Sequence, residues 1–495
     1  MRFSRSRRHS IALGGTLVGI LSFVPMVAPA GAQEVATTQQ QLQSEDAQGG
    51  GQSSEQRLRE LEREVAELRA MVRALTQQPM PPPAVVPDAT AAAPVPPAAP
   101  TAPESVEQAR RIDVLAAEIE QLKLGEVAVE ADRSEFGYGP AASKVYRRDQ
   151  GLSIGGYGEV IYESFDSTND AGGPGRADVS DALRAIVYVG YKFNDRWLFN
   201  SEIEFEHGGK EPALEFAYLD YLWRPELSFR FGHLLVPMGF VNELHEPTVF
   251  LGVRRPTLET ILLPSTWHEN GFGIFGDVGP VSYRSYLVDG FRGAGFTAGG
   301  LRGGRQGGNR ALAEDFAWVT RADWQPFEGA RIGGSFYLGD SGQDATFAGR
   351  GVDVGTQILE AHAEWRWRGL DLRLLAARAE LDDVARLNAV LGLTGNRSVG
   401  EELEGEYVQV GYDVLSHFGS GGRQLTPFVR WERIDTQAAV PAGFGRNPAN
   451  DQEILTYGLE LQPLEQVVFK LDFQDFDNDA GTGQDQFNLG IGYVF

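Results

Sequence analysis

FNLGIGYVF, residues 487–495, places Phe487, Leu489, Ile491, Tyr493 and Phe495 at every second position, with Asn488, Gly490, Gly492 and Val494 between them. Side chains two residues apart share one face of a β-strand, so this stretch has one apolar face and one small or polar face. The same period recurs upstream. In TQILEAHAEWRWRG (356–369), Leu359, Ala361, Ala363, Trp365 and Trp367 oppose Glu360, His362, Glu364, Arg366 and Arg368. In VVFKLDFQ (467–474), Val467, Phe469, Leu471 and Phe473 oppose Val468, Lys470, Asp472 and Gln474. In WLFNSEIEFE (197–206), Trp197, Phe199, Ile203 and Phe205 oppose Leu198, Asn200, Glu202, Glu204 and Glu206. A sandwich of two sheets alternates in the same way, so the period alone leaves the fold open.

The connections separate the two. From about residue 151 the sequence breaks into sixteen strand-like segments whose links alternate in length. Short links fall at 194–195, 224–226, 278–280, 326–329, 368–369, 416–423 and 463–465. Long links fall at 164–180, 237–270, 290–314, 340–355, 381–403, 435–452 and 476–485, with a modest one at 208–212. Outer-membrane barrels have an even number of antiparallel strands, short periplasmic turns and long outer loops. A sandwich has no reason to sort its links this way. Trp197, Trp223, Trp324, Trp365 and Trp367, five of the eight tryptophans, lie close to short links, as do Tyr191 and Phe193. That clustering predicts an aromatic girdle at one rim. The expected fold is therefore all-β: a 16-stranded antiparallel transmembrane β-barrel over 151–495, preceded by a short α-helical coiled coil. FNLGIGYVF becomes its last lipid-facing strand, closing against the first at about 152–163. Phe495 then ends on the periplasmic side and resembles the terminal aromatic read by the barrel-assembly machinery.

The N-terminal part has a different character. Arg2, Arg5, Arg7 and Arg8 precede the apolar run 11–24, and Ala30 and Ala32 stand at an A-x-A spacing. Residues 1–32 thus read as a secretory signal peptide. Residues 33–54, rich in Gln, Ser and Gly, read as disordered. Over 55–78, Leu58, Leu61, Val65, Leu68, Val72 and Leu75 repeat at alternating spacings of three and four, the a/d seam of a coiled coil. The β-branched a layer leans toward two strands. Ten prolines within 79–103 make an extended spacer. Ile112, Leu115, Ile119 and Leu122 mark a second short helix over 104–124. The chain is expected in the outer membrane of a Gram-negative bacterium, in contact with its lipids and lipopolysaccharide, with the N-terminal extension in the periplasm.

Composition excludes several functions. With no cysteine, disulfides and thiolate metal sites are impossible. A formal net charge of −24 is wrong for nucleic-acid binding. The histidines are scattered: His245–Glu246 and His268–Glu269 are adjacent pairs lacking a third ligand at helical spacing, and no metal or cofactor is expected. No Ser, His and orienting group fall on neighbouring strands, so no catalytic residues are assigned. SIGGYGE (153–159) lacks a phosphate-loop lysine and reads as a closely packed strand.

The function expected is a porin, a water-filled channel for passive diffusion of small hydrophilic solutes. The alternative is a structural anchor carrying a periplasmic coiled-coil stalk. Sixteen strands leave room for a channel where eight would not. Its polar face supplies lumen-wall candidates: Arg184, Glu202, Glu204, Arg230, Arg321, Glu360, Glu364 and Arg366, with Glu159, Glu206, Arg373 and Arg430. Each is expected to be a solvated wall residue, and together they would set charge preference. The long link 237–270 is aliphatic and proline-stiffened, unlike a solvated loop tip, and can fold into the lumen. Glu243, Glu246, Arg254, Arg255 and Glu259 are its constriction candidates; packing on the outer rim or a neighbouring subunit is the other reading. The Gly-rich link 291–310, with Arg292, Arg302, Arg305 and Arg310, reads as a mobile cationic outer loop.

FRFGHLLVPMGF (229–240) resembles the Gly-x-x-x-x-Pro-x-Gly element that follows a strand in the phosphate-selective porin O and P family. WHENGFGIFG (267–276) resembles the segment where that family re-enters the barrel. The resemblance runs loosely over 151–495. It implies a trimeric 16-stranded barrel, against the two-stranded lean of the heptads. It also raises anions such as phosphate as solutes, which family members bind through Lys and Arg clusters. This chain has five lysines, none between residues 211 and 469, so only Arg254 and Arg255 remain as a remnant of such a cluster.

Overall fold

The computed structural model describes residues 134–418 and 421–495. The proposed signal peptide, coiled coil, proline spacer and second helix lie outside these residues. Sixteen antiparallel strands close into one barrel. They are β1 (Gly151–Phe165), β2 (Val179–Lys192), β3 (Trp197–Glu206), β4 (Glu211–Arg224), β5 (Leu227–Leu235), β6 (His268–Val278), β7 (Val281–Asp289), β8 (Phe316–Trp324) and β9 (Ala330–Asp340). The two-residue strands β10 (Thr346–Phe347) and β11 (Arg350–Gly351) form a small hairpin in the loop that follows. The barrel resumes with β12 (Gly355–Trp367), β13 (Leu370–Leu381), β14 (Glu402–Tyr412), β15 (Gln424–Ala439), β16 (Asp451–Leu464), β17 (Val467–Asn478) and β18 (Gln486–Val494). Each pairs with its sequence neighbour in the barrel, and β18 returns to β1. The expected sixteen strands are all present.

The seam forms where FNLGIGYVF was placed. Tyr157 is opposite Val494 and Phe165 opposite Gln486. Beyond the strand, the Phe495 N–H donates to the Gly156 carbonyl at 2.9 Å and the Gly156 N–H to the Phe495 carbonyl at 3.0 Å. A Cβ on Gly156 would meet the Phe495 ring at 2.7 Å, so the glycine leaves room for that ring across the seam. Deleting Phe495 removes both bonds, about 2 kcal/mol at roughly 1 kcal/mol each. The fraction refolded in detergent, read as the heat-modifiable band on a gel, is expected to fall. Unchanged recovery would show that the seam does not depend on this residue.

The faces follow the period-two pattern. Leu359, Leu471, Leu489, Ile491 and Tyr493 are exposed on the outside, whereas Glu360, His362, Asp472 and Asn488 point in and are buried. No helix among the described residues is long and apolar enough to cross a membrane. The strands cross it, because a closed barrel satisfies every backbone group without water. At the short-turn rim, Trp197 packs on Tyr221 with ring centroids 4.8 Å apart and Trp365 stacks on Trp367 at 5.7 Å. On the long-loop half of β13–β16, Arg378, Glu404, Glu406, Arg433 and Glu453 face outward and are exposed. The apolar band therefore gives way to a charged one on that side.

Two segments enter the barrel. Residues 236–267, between β5 and β6, bring Val236, Met238, Phe240, Val241, Leu258, Leu262, Leu263 and Trp267 into the buried core. Residues 135–148 precede β1 and bring Tyr138, Ala141, Ala142, Val145 and Tyr146. The long loop between β7 and β8 differs from expectation. It packs down on the first segment: Phe296 and Leu301 are buried, and Arg302 and Arg305 donate to the Ser265 carbonyl at 2.8 and 2.7 Å. Backbone carbonyls of the inward segment hold these arginines. Burial, reinforced by the neighbouring Arg305 charge, pushes the Arg302 guanidinium down to about 10.

Candidate functional site: the occupied lumen

The inward segment turns into the barrel at Gly-x-x-x-x-Pro-x-Gly. Gly232 has φ +134° and a Cβ there would lie 2.4 Å from the Ala217 carbonyl oxygen. Gly239 has φ +68°, and a Cβ would lie 2.5 Å from Glu259 Oε2. Both positions need the conformational freedom and small size of glycine. Past this turn the segment touches the wall nearly all the way round.

The five constriction candidates lie inside the barrel. Glu243 pairs with Arg284 at 2.8 Å and approaches Arg321 at 3.7 Å. Glu246 accepts hydrogen bonds from the backbone N–H of Ala141 at 2.9 Å and of Ala142 at 3.1 Å, tying the two inward segments together. Arg254 forms a two-pronged pair with Glu163 at 2.7 and 2.5 Å. Arg255 donates to the His245 carbonyl at 3.3 Å. Glu259 accepts from the Val241 N–H and the Tyr407 hydroxyl, each at 2.7 Å. Burial raises its carboxyl above the usual range, and these two donors offset part of that.

The wall candidates all face inward, but most are not solvated. Glu202, Glu204, Arg230, Arg321, Glu360 and Glu364 are buried because the two segments cover them. Desolvated charges need partners, and Glu204, Arg230, Arg321, Glu360 and Glu364 have found them. Arg184 lies among Glu159, Glu204 and Glu206 at 3.0–3.4 Å. Arg321 pairs with Asp323 at 2.8 Å and also donates to the Gly239 carbonyl. His362 links Asp323 at 2.7 Å to Glu360 at 2.6 Å, while Ser335 donates to Glu360 at 2.5 Å. Arg373 donates to the Val249 carbonyl at 2.7 Å and Arg430 to the Leu251 carbonyl at 3.2 Å. Arg366, at the short-turn rim, stays 44% exposed and pairs with Glu364 and Asp371.

Sequence reasoning missed several of the groups that matter. Lys470 donates to the carbonyls of Phe250 and Gly252 at 2.6 and 3.1 Å, and Asp472 accepts from the Val253 N–H at 2.6 Å. The wall candidate Arg230 was foreseen but its cage was not: the guanidinium sits 4.4–4.6 Å from the rings of Tyr138, Tyr218 and Phe275. It binds Asp220 at 2.8 Å and the Tyr146 hydroxyl at 2.8 Å. This cage fastens residues 135–148 to the wall. The fold also brings His245 to Glu202 and Glu215, at 3.2 and 3.3 Å, a grouping that no spacing in the sequence shows.

Two cavities flank the inward segment, both reaching the short-turn rim. One of about 550 Å3 lies between Phe240, Glu243 and Leu244 and the wall at Arg284, Arg321, Asp323 and Arg331. The other, of about 420 Å3, lies between residues 248–251 and the wall at Asp371, Arg373, Thr426 and Glu460. Both linings mix acidic and basic groups.

No family model matches the sequence. An uncharacterized protein of Aquifex aeolicus (strain VF5) is 36% identical over 392 residues, covering 76% of this chain and 87% of its own length. The chain belongs to that protein's family. Among solved structures, OmpF of Salmonella typhi in complex with daunomycin is 13% identical with a TM-score of 0.47, covering 70% of this chain and 98% of its own. OmpT, an outer membrane protein of Vibrio cholerae, is 12% identical with a TM-score of 0.45, covering 70% of this chain and 100% of its own. The architecture itself is that of an outer-membrane barrel: sixteen antiparallel strands, one girdled short-turn rim and an apolar exterior.

Proposed function

We propose that the barrel is an outer-membrane channel for passive diffusion of small hydrophilic solutes, with residues 236–267 as its constriction. The observation that carries this reading is the pair of charged cavities beside a segment that crosses an otherwise wide lumen. Stepwise conductance of the purified full chain in planar bilayers tests it, and its absence would sink the channel reading. The anchoring of residues 135–148 by Arg230 favours a second reading, a membrane anchor for the N-terminal extension. A barrel that inserts but never conducts fits only that one.

Phosphate selectivity is not part of the proposal. An anion ladder needs cations free to meet the solute. Here Lys470 is engaged by two carbonyls and Arg254 by Glu163. Arg254 is nonetheless 39% exposed, so it is the arginine best placed to meet a solute. Arg254→Glu puts a second carboxylate beside Glu163, and the reversal potential in a KCl gradient is expected to shift toward cation preference. An unshifted potential would remove Arg254 from the permeation path. Self-association, as the trimer the resemblance implies or the dimer toward which the heptads of 55–78 lean, is tested by crosslinking the chain with and without that segment. Contacts of the charged outer band with lipopolysaccharide, and of Phe495 with the assembly machinery, belong to the same reading.

A further inference from the structure

We propose that Glu202, Glu215 and His245 bind a divalent transition-metal ion of the Zn2+ type, fastening the inward segment to the barrel wall. Glu202 lies on β3, Glu215 on β4 and His245 on the inward segment. One ligand atom from each lies within 4.8 Å of the others, and all three residues are buried. Both carboxylates are 0% exposed.

The hydrogen bonding of His245 points to a cation. Its Nδ1 lies 2.9 Å from the Asn242 carbonyl oxygen, which can only accept, so Nδ1 carries the proton. In the neutral ring Nε2 then presents a lone pair. That lone pair faces both oxygens of Glu202 at 3.2 Å and Glu215 Oε2 at 3.3 Å. A lone pair aimed at two carboxylates is repulsive unless a proton or a metal ion lies between them, and the metal ion is the occupant proposed. A histidine that donates its other N–H to a backbone carbonyl is the usual support of a metal ligand. The spacing agrees: bonds of about 2.1 Å in a tetrahedron set neighbouring donors about 3.4 Å apart.

Unpartnered groups around the cluster are a second observation. Glu215 has no hydrogen bond on either oxygen. Tyr157 is 1% exposed, its hydroxyl has no partner, and its ring centroid lies 6.0 Å from that of His245. An ion held by these three side chains would have a fourth position left for a water or for this hydroxyl. One imidazole and two carboxylates suit a first-row transition ion better than Mg2+ or Ca2+, which take oxygen ligands alone. A dication also neutralises both buried carboxylates at once. The inference holds whether or not the barrel conducts.

The test uses the full chain refolded in detergent with a chelator, then dialysed against micromolar Zn2+ or Mg2+. One Zn2+ retained per chain and no Mg2+ is the expected result. Cobalt(II) should give the visible spectrum of a four-coordinate ion without any substitution. Glu215→Gln and His245→Ala are each expected to weaken Zn2+ binding more than tenfold while the heat-modifiable barrel persists. Should either variant fail to fold, the cobalt spectrum of the unaltered chain still decides. No stoichiometric Zn2+ on the unaltered chain would mean that a proton, on His245 or on one of the two carboxyls, occupies the site, and would overturn the proposal. So would Mg2+ binding as well as Zn2+, or a folded His245→Ala that keeps its metal.

Discussion

Replacing residues 239–262 with a short glycine-serine link is expected to raise single-channel conductance on the order of threefold or more, since conductance follows the free cross-section of a pore. The segment is anchored to β1 through Glu163, to β14 through Tyr407, to β15 through Arg430 and to β17 through Lys470. It therefore occupies the section between those strands. Without it, Glu202, Arg321, Glu360 and Arg430 would line water instead of protein. The wall should survive, because its ladders involve only strands and a closed barrel is self-sufficient in backbone hydrogen bonds. A modified barrel that keeps its heat resistance and its original conductance would show that the segment does not limit flow.

The second large effect is expected at Arg230→Ala. This substitution leaves Asp220, fully buried, without its cation, and removes the charge from three rings and the donor from Tyr146. Removing one partner of a buried pair costs about 3–5 kcal/mol. Most of that falls on the docking of residues 135–148, whose other wall contacts include the Ala142 carbonyl with Asn200. Limited proteolysis should then cut within 135–148 at a rate that the unaltered protein resists, while the barrel band persists. The conservative Tyr146→Phe, which loses one hydroxyl but keeps the ring, should cut at an intermediate rate. Equal protection in all three would place the anchor elsewhere.

The strands were legible because one rule, alternation, acts at every residue of a wall with lipid on one side and protein on the other. Leu359 to Trp367 and Val467 to Gln474 show it without interruption. The inward segment announced itself by composition, since Val249, Phe250, Leu251, Ile261, Leu262 and Leu263 make no sense on a solvated loop. Its partners were not legible. Glu259 meets Tyr407 across 148 positions and Lys470 meets Phe250 across 220, and no spacing rule connects them. The same reason hid the His245 cluster, whose acidic members come from two strands. Residues 135–148 escaped notice because EFGYGPAASKVYRR has no helical or strand period, only aromatics that turn out to cage an arginine. The arginines of 291–310 suggested a solvent-facing role because the acceptors that claim them, carbonyls at Ser265 and Thr266, are backbone atoms that every residue carries.

The reach of the inward segment also bears on the order in which the chain can assemble. Its partners Glu163 on β1 and Lys470 and Asp472 on β17 stand on opposite sides of the β1–β18 seam, at nearly the two ends of the described sequence. Contacts so distant along the chain are slow to form. A cylinder sealed first would have to admit the whole of residues 236–267 afterwards and satisfy their buried charges in a confined space. The order expected from this is that the segment seats against the early strands while the sheet is still open, before β12–β18 close round it. Sealing the seam and completing the interior are then one event, and a chain altered in the segment will betray itself first in the rate of closure.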